Sequence, residues 1–164
     1  MALNPFSEEQ IIARLQFENP WWASGNLDSY YRALNPRLYF TLFYPLVKHS
    51  AVHRATVLMG PRRVGKTVML YHAIQQLIAD GVPAQKIMYA SVETPIYNNI
   101  PLHDLFNMAK KATGNTESDG WYIFFDEVQY LKDWEVHLKT LVDSFRQTKF
   151  IASGSAAAAL KLKS

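Results

Sequence analysis

From Arg54 onward, short apolar runs alternate with longer segments of helical period. Four of these runs have the length and composition of buried strands, and they cover residues 55–59, 86–92, 121–125 and 149–153. Between the first two runs, apolar residues recur at three- and four-residue spacing on one predicted helix face, which should begin near Lys66 and end at Gly81. Alternation of this kind is typical of βαβ units, so we predict an α/β fold with a mostly parallel sheet.

The residues before Arg54 follow a different pattern. Ser7 and Gln10 have the spacing of a capping box, which predicts a short first helix that stops before Pro20. A second helix is predicted after Pro36, and Pro45 should kink or end it. Three leucines are expected on one side of this second helix, and these are Leu38, Leu42 and Leu46.

The composition is that of a globular protein, with 49% hydrophobic and 19% charged residues. We predict a helical and aromatic segment at residues 1–53 that packs on a core at residues 54–164. The chain has no cysteine, which excludes disulfides and thiolate metal sites. No apolar run is long enough to cross a bilayer, so we expect a cytoplasmic protein with no membrane partner. A net charge of +3 gives only weak support for binding to nucleic acid.

A glycine-rich stretch, GPRRVGKT, stands between the first predicted strand and the helix that follows it, and it matches the pattern G-x-x-x-x-G-K-[ST]. Its glycines let successive backbone N–H groups point into one concavity, and the start of the helix adds a positive end, so the loop can hold phosphates. Lys66 would reach the β and γ phosphates, and the Thr67 hydroxyl would ligate Mg²⁺. The side chains of the two arginines are expected to face solvent or a neighbouring subunit. The predicted nucleotide-binding residues are Gly60, Pro61, Arg62, Arg63, Val64, Gly65, Lys66 and Thr67.

Two carboxylates, Asp126 and Glu127, directly follow the buried run WYIFF, although a packed core does not tolerate unpaired charge. A phosphate-binding loop needs an acid at the end of a neighbouring strand to hold Mg²⁺, and Asp126 has that position. Glu127 is suited to orient and deprotonate a water that attacks the γ phosphate. The alternative interpretation is a solvated acidic turn after a buried strand.

The fourth predicted strand ends in SGS. If this strand lies between the first and the third, Ser153 would lie near the γ phosphate and could bond it or the attacking water. The alternative is a turn in which Ser155 caps a following helix, and both interpretations can hold together. Upstream, Trp21 and Trp22 could stack on a base, but packing against the domain is the simpler expectation.

The stretches GPRRVGKT, FFDEVQYLKDWEVHLKTLVD and KFIASGSAAAAL, together with NPWW and NPRLYF upstream, resemble AAA-type ATPases of bacteria and archaea that carry a C-terminal domain of unknown function. The resemblance implies a P-loop three-layer sandwich with strand order 5-1-4-3-2, and ATP and Mg²⁺ as ligands. It also implies metal, water-activating and sensor positions at Asp126, Glu127 and Ser153. A guanine-recognition motif of the form Asn-Lys-x-Asp does not occur, which favours ATP over GTP.

In proteins of that kind a fifth strand and the C-terminal domain would follow, so we expect this chain to be a truncated ATPase core. The free edge of the first strand would then be covered by the missing part, the N-terminal segment or a second chain. No candidate arginine finger stands out, so one would come from a neighbouring copy in a homo-oligomer or another partner, or would belong to the missing part. The rival hypothesis is a nucleotide-gated switch that binds ATP or ADP with little turnover and acts on a protein or nucleic acid.

Overall fold

A computed structural model describes residues 5–36, 38–49, 53–61 and 63–155. Its strands form one parallel sheet in the order β1-β4-β3-β2, which confirms the predicted α/β class and the 1-4-3-2 part of the predicted strand order. The strands are β1 (Thr56–Gly60), β2 (Ile87–Ser91), β3 (Tyr122–Asp126) and β4 (Lys149–Ser155).

Helices cover both faces of the sheet. Tyr71 packs on Tyr89 of β2 with ring centroids 4.7 Å apart, while Phe106 packs on Phe150 of β4 at 6.5 Å. Tyr89 and Phe150 are in register with adjacent residues of β3, which point to opposite faces of the sheet. The helices carrying Tyr71 and Phe106 therefore lie in different layers, as a three-layer sandwich requires. The helices are α1 (Glu8–Glu18), α2 (Trp21–Ser24), α3 (Ser29–Ala33), α4 (Phe40–Lys48), α5 (Lys66–Ala79), α6 (Leu102–Thr113) and α7 (Trp134–Ser144).

The predicted strand boundaries need small corrections. Both β1 and β3 begin and end one residue later than predicted, and β2 is one residue shorter at each end. The prediction for β4 was two residues too short, because Gly154 and Ser155 continue the ladder by pairing with Met59 and Gly60. The helix after the loop ends at Ala79, slightly before the predicted end.

The predicted capping box is present at the start of α1. Ser7 Oγ accepts a hydrogen bond from the backbone of Gln10 at 3.1 Å, and Gln10 Oε1 accepts one from the backbone of Ser7 at 2.8 Å. The helix ends at Glu18, ahead of Pro20 as predicted.

The predicted second helix is present as α4, and the side on which the three leucines were predicted faces outward. Phe43 and Val47 are buried, while the expected stripe is exposed, with 86% exposure at Leu38 and 69% at Leu42. The segment is apolar nearly all round, so its periodicity did not distinguish the faces. The helix also continues through Pro45 to Lys48, so Pro45 does not end it.

The outer edge of β2 bonds to side chains of the N-terminal segment. Asn19 Nδ2 donates to the carbonyl oxygen of Tyr89 at 2.8 Å, and Asn19 Oδ1 accepts from the amide of Tyr89 at 2.6 Å. Further along the same edge, the Ser91 amide donates to Glu18 Oε2 at 3.3 Å. A single amide side chain thus makes both of the bonds that a neighbouring strand would offer Tyr89.

The two tryptophans complete this cover. The indole N–H groups of Trp21 and Trp22 both donate to the carbonyl oxygen of Ile87, at 2.9 and 2.7 Å. Both indoles are buried, so packing against the domain, the simpler of the two expectations, describes their position. We call the four side chains that bond this edge the edge cap, namely Glu18, Asn19, Trp21 and Trp22.

Candidate nucleotide-binding site

The glycine-rich loop connects the end of β1 to the start of α5 at one edge of the sheet. Arg63 and Gly65 adopt left-handed backbone conformations, with φ of 64° and 88°. Left-handed residues among right-handed ones turn backbone N–H groups to one side, and this is how such loops form anion-binding concavities. The Arg63 side chain is exposed, in line with its expected role, and Arg62 lies outside the described residues.

Lys66, the first residue of α5, is folded back over the loop. Its side chain is 7% exposed, and Nζ donates to the carbonyl oxygens of Gly60, at 3.1 Å, and Pro61. A buried ammonium needs such partners, since removing a charge from water is costly. Phosphate oxygens could replace these neutral carbonyls with stronger, charge-assisted bonds.

Asp126, at the end of β3, is buried but accepts four hydrogen bonds. Its Oδ2 accepts from the Thr67 hydroxyl at 2.7 Å and from the Tyr89 hydroxyl at 2.6 Å. Its Oδ1 accepts from the Ser153 hydroxyl and from the Glu127 amide, the latter at 3.1 Å. The core therefore tolerates this carboxylate because every lone-pair direction has a donor.

The Tyr89 hydroxyl is a permanent donor in this cluster. Burial, and then the nearby charge of Asp126, raise the pKa of Tyr89 well above its ordinary value. The group thus stays protonated at physiological pH. The sequence-based prediction missed Tyr89, because a tyrosine inside an apolar strand resembles any other core residue.

Glu127 follows Asp126 in a left-handed conformation, with φ of 57° and ψ of 47°. Residues other than glycine rarely adopt this backbone conformation, and its strain costs on the order of 1 kcal/mol. Its carboxylate accepts a hydrogen bond from Gln129 Nε2 at 2.5 Å. The turn therefore directs the two adjacent carboxylates to different partners.

Gln129 is a second residue that the sequence-based prediction did not single out. It is 1% exposed, and its Oε1 accepts from the Ser155 amide at 3.1 Å, so it connects Glu127 to the end of β4. The backbone of β4 approaches this amide closely, since a Cβ at Gly154 would lie 2.8 Å from Gln129 Oε1. In the sequence, Gln129 could be noticed as a polar side chain two positions after Glu127, and this was the signal that could have identified it.

The two serines of SGS have different environments. Ser153 is fully buried and donates to Asp126, which places it in the acid cluster. Ser155 pairs in register with Gly60, and its buried Oγ has no hydrogen-bond partner within the described part of the chain. The alternative in which Ser155 caps a helix concerns the residues from 156, which lie outside the described ranges.

The donor set fits Mg²⁺. This ion takes six oxygens and typically binds one or two protein oxygens together with substrate phosphates, instead of a cage of acids. The Thr67 oxygen keeps its lone pairs while its hydroxyl donates to Asp126 at 2.7 Å, so Thr67 would ligate the ion directly. Asp126, which already accepts four hydrogen bonds, would hold the ion through Thr67 or a bound water. Across the described ranges, His, Asp and Glu form no cluster of three or more that could hold a metal without a further ligand.

A glycine-rich loop between β1 and α5, an acid at the end of β3 and the order β1-β4-β3-β2 together define a P-loop nucleotide-binding fold. The family model described as "AAA domain" matches residues 52–164, and the chain belongs to this family. Membership supports ATP binding and an ATPase-like function. Family membership therefore confirms the part of the sequence resemblance that concerns an AAA-type ATPase core.

Other comparisons add little. No curated protein matches the chain. A solved structure titled "crystal structure of DNA replication initiation factor" is similar over 76% of this chain and 40% of that chain, with 18% identity and a TM-score of 0.44. This chain thus spans less than half of that protein. Among the described helices, none is long and apolar enough to cross a membrane.

Proposed function

We propose that this protein binds ATP together with Mg²⁺ and hydrolyses it to ADP and phosphate. The observation that carries the proposal is the 2.7 Å hydrogen bond between Thr67 and Asp126, beside a loop in which Lys66 donates to neutral backbone carbonyls. The phosphates would lie against the loop amides, and Lys66 would exchange its carbonyl partners for phosphate oxygens. Thr67 and Asp126 would hold the metal, which when bound neutralises phosphate charge.

Glu127 is the proposed general base. It would accept a proton from a water whose oxygen bonds to the γ phosphorus, while the bond from that phosphorus to the β–γ bridging oxygen breaks. The leaving group is ADP. Gln129 holds the Glu127 carboxylate by its Nε2 group, which supports a fixed orientation for the base.

Both serines of β4 belong to the proposed site. Ser153 acts through Asp126, because its hydroxyl donates to that carboxylate. Ser155 is proposed to contact the γ phosphate, since its hydroxyl is unpartnered among the described residues and it pairs with the first residue of the loop. This assignment moves the proposed sensor contact from Ser153 to Ser155.

Two variants test the proposal. Lys66→Ala should lose ATP binding in calorimetric titration with Mg²⁺, whereas Glu127→Gln should bind normally. Loss of a general base should lower phosphate release about 10²- to 10⁴-fold in Glu127→Gln. Lys139→Ala is a matched control, because Lys139 is an exposed lysine that pairs with Asp143 on α7. Equal turnover in Glu127→Gln would reject the assigned base, and a folded wild-type chain that binds no ATP would reject the function.

A nucleotide-gated switch with little turnover is the second candidate. The observation that favours it is the position of Lys66, whose bonds to the loop carbonyls of Gly60 and Pro61 would be exchanged on nucleotide binding, so occupancy alone would change the loop. Sustained phosphate release by the wild-type chain would separate the two functions. Four expectations stay predictions. They are the C-terminal domain, an arginine finger from a neighbouring copy, a role on nucleic acid and a cytoplasmic location.

A further inference from the structure

We propose that Tyr89 is a positioning residue for the metal site, which fixes the Asp126 carboxylate so that Asp126 and Thr67 form a preorganised pair for Mg²⁺. This inference rests on the proposed function and deepens it. It adds a residue outside the loop and the acid pair, on the edge strand of the sheet. Two donors converge on one oxygen, since Tyr89 and Thr67 both bond Asp126 Oδ2, at 2.6 and 2.7 Å.

The strand register explains how Tyr89 reaches the site. Tyr89 pairs with Phe124, two residues before Asp126, so Tyr89 and Asp126 point to the same face of the sheet. The length of the tyrosine side chain spans this offset and brings its hydroxyl to the end of β3. A shorter hydroxyl side chain at the same position could not reach the carboxylate.

The hydroxyl is not needed to fill space. Tyr89 is 3% exposed, and its ring packs on Tyr71, so phenylalanine would preserve the apolar contacts. What phenylalanine would lose is the donor to Asp126, together with the hydrogen bond between the Tyr89 and Tyr71 hydroxyls. With Oδ1 held separately by Ser153, removal of the Tyr89 donor frees only the oxygen that Thr67 shares.

The backbone of Tyr89 is itself fixed by the edge cap. Asn19 bonds both its amide and its carbonyl, and the Tyr71 ring against Tyr89 packs in turn on Tyr31 of α3, with centroids 4.2 Å apart. The N-terminal segment therefore determines where the Tyr89 hydroxyl lies. This gives the segment a physical connection to the metal site, through one edge strand.

The test compares Tyr89→Phe with Tyr97→Phe. The Tyr97 hydroxyl is also buried and also donates a hydrogen bond to a carboxylate, but that carboxylate is Glu18 of the edge cap. Affinity for ADP is measured by calorimetry with Mg²⁺ and with a chelator, and the Mg²⁺ concentration for half-maximal ATP hydrolysis is measured separately. Loss of a residue that orients a metal ligand typically lowers metal affinity about 10- to 100-fold.

We expect Tyr89→Phe to keep its affinity for metal-free ADP and to need about 10-fold or more additional Mg²⁺, while Tyr97→Phe matches the wild type. An unchanged Mg²⁺ requirement in Tyr89→Phe would overturn the inference and leave the proposed function intact. An equal shift in both variants, or a Tyr89→Phe chain that no longer folds, would assign the hydroxyl to general stability and also overturn it. A wild-type chain with no Mg²⁺-dependent ADP binding would overturn the proposed function, and the inference with it.

Discussion

Replacing Asn19 with alanine should destabilise the whole fold, although Asn19 lies far along the chain from the loop and the acid pair. Its amide makes three backbone contacts at once. Nδ2 donates to the carbonyl oxygens of Leu15, at 2.7 Å, and Tyr89, while Oδ1 accepts from the Tyr89 amide. Asn19 is 1% exposed, so water does not readily replace these partners.

The magnitude follows from the groups left unpaired. Each buried polar group that loses its partner costs at least about 1 kcal/mol, so three groups amount to about 3 kcal/mol of unfolding free energy. For a chain of this length, that corresponds to a fall of about 6 to 12 °C in Tm. It is also a large part of the total stability of a typical domain.

Urea and thermal unfolding, followed by circular dichroism and tryptophan fluorescence, measure the effect. Asn26→Ala is the matched control, because the exposed Asn26 side chain bonds the carbonyl of Ser24, two residues away. Asn19→Asp should also be destabilised, since a carboxylate accepts from the Tyr89 amide but cannot donate to either carbonyl. A loss below about 0.5 kcal/mol in Asn19→Ala, the range of ordinary surface substitutions, would show that the Asn19 side chain does not hold the edge of β2 in place.

Two further variants probe neighbouring contacts. Burial is the main cause that raises the pKa of Glu18, and the hydrogen bond from Tyr97 opposes it. Because the pKa of Glu18 is higher in the folded than in the unfolded chain, the ionisation of Glu18 lowers the free energy of unfolding as the pH rises above about 4.5. Glu18→Gln removes this ionisation. We therefore expect the variant to be more stable than the wild type at neutral pH and to show less pH dependence in urea unfolding. Gly154→Ala should displace Gln129, since its Cβ would lie 2.8 Å from Oε1, and we expect a loss of about 1 to 3 kcal/mol by the same assay. Unchanged stability of Gly154→Ala, or an unaltered pH profile in Glu18→Gln, would contradict these contacts.

The loop and the acid pair could be predicted because their chemistry is local in sequence. A strand, a glycine-rich turn and a helix in succession suffice to place Lys66 and Thr67, and the polar break after WYIFF marks Asp126. Strand order followed from the family resemblance, since periodicity alone does not say which parallel strands are neighbours. The structure confirms the part of that order that the described strands cover.

The residues that support the site could not be predicted in this way. Tyr89 and Gln129 act across the sheet, so their roles depend on register and on turn geometry that periodicity does not contain. Asn19 is a similar case, because its partners on β2 are 70 positions away. The inward side of α4 could not be assigned from the sequence either, since a segment that is apolar nearly all round has no unique inward face.

The two edges of the sheet are not equivalent, because, within the described part of the chain, one is covered by side chains and the other is not. On the β2 side, the edge cap occupies the backbone groups of Ile87 and Tyr89 that an incoming strand would need. On the β1 side, no strand among the described residues lies beyond β1, and Val57 and Met59 are 41% and 36% exposed. Strand addition, whether by correct assembly or by edge-to-edge aggregation, is therefore restricted to one flank. A mutation that removed the hydrogen bonds of the edge cap would expose a second unpaired strand edge. A monomer with an unpaired edge on each side of its sheet can form an open-ended polymer.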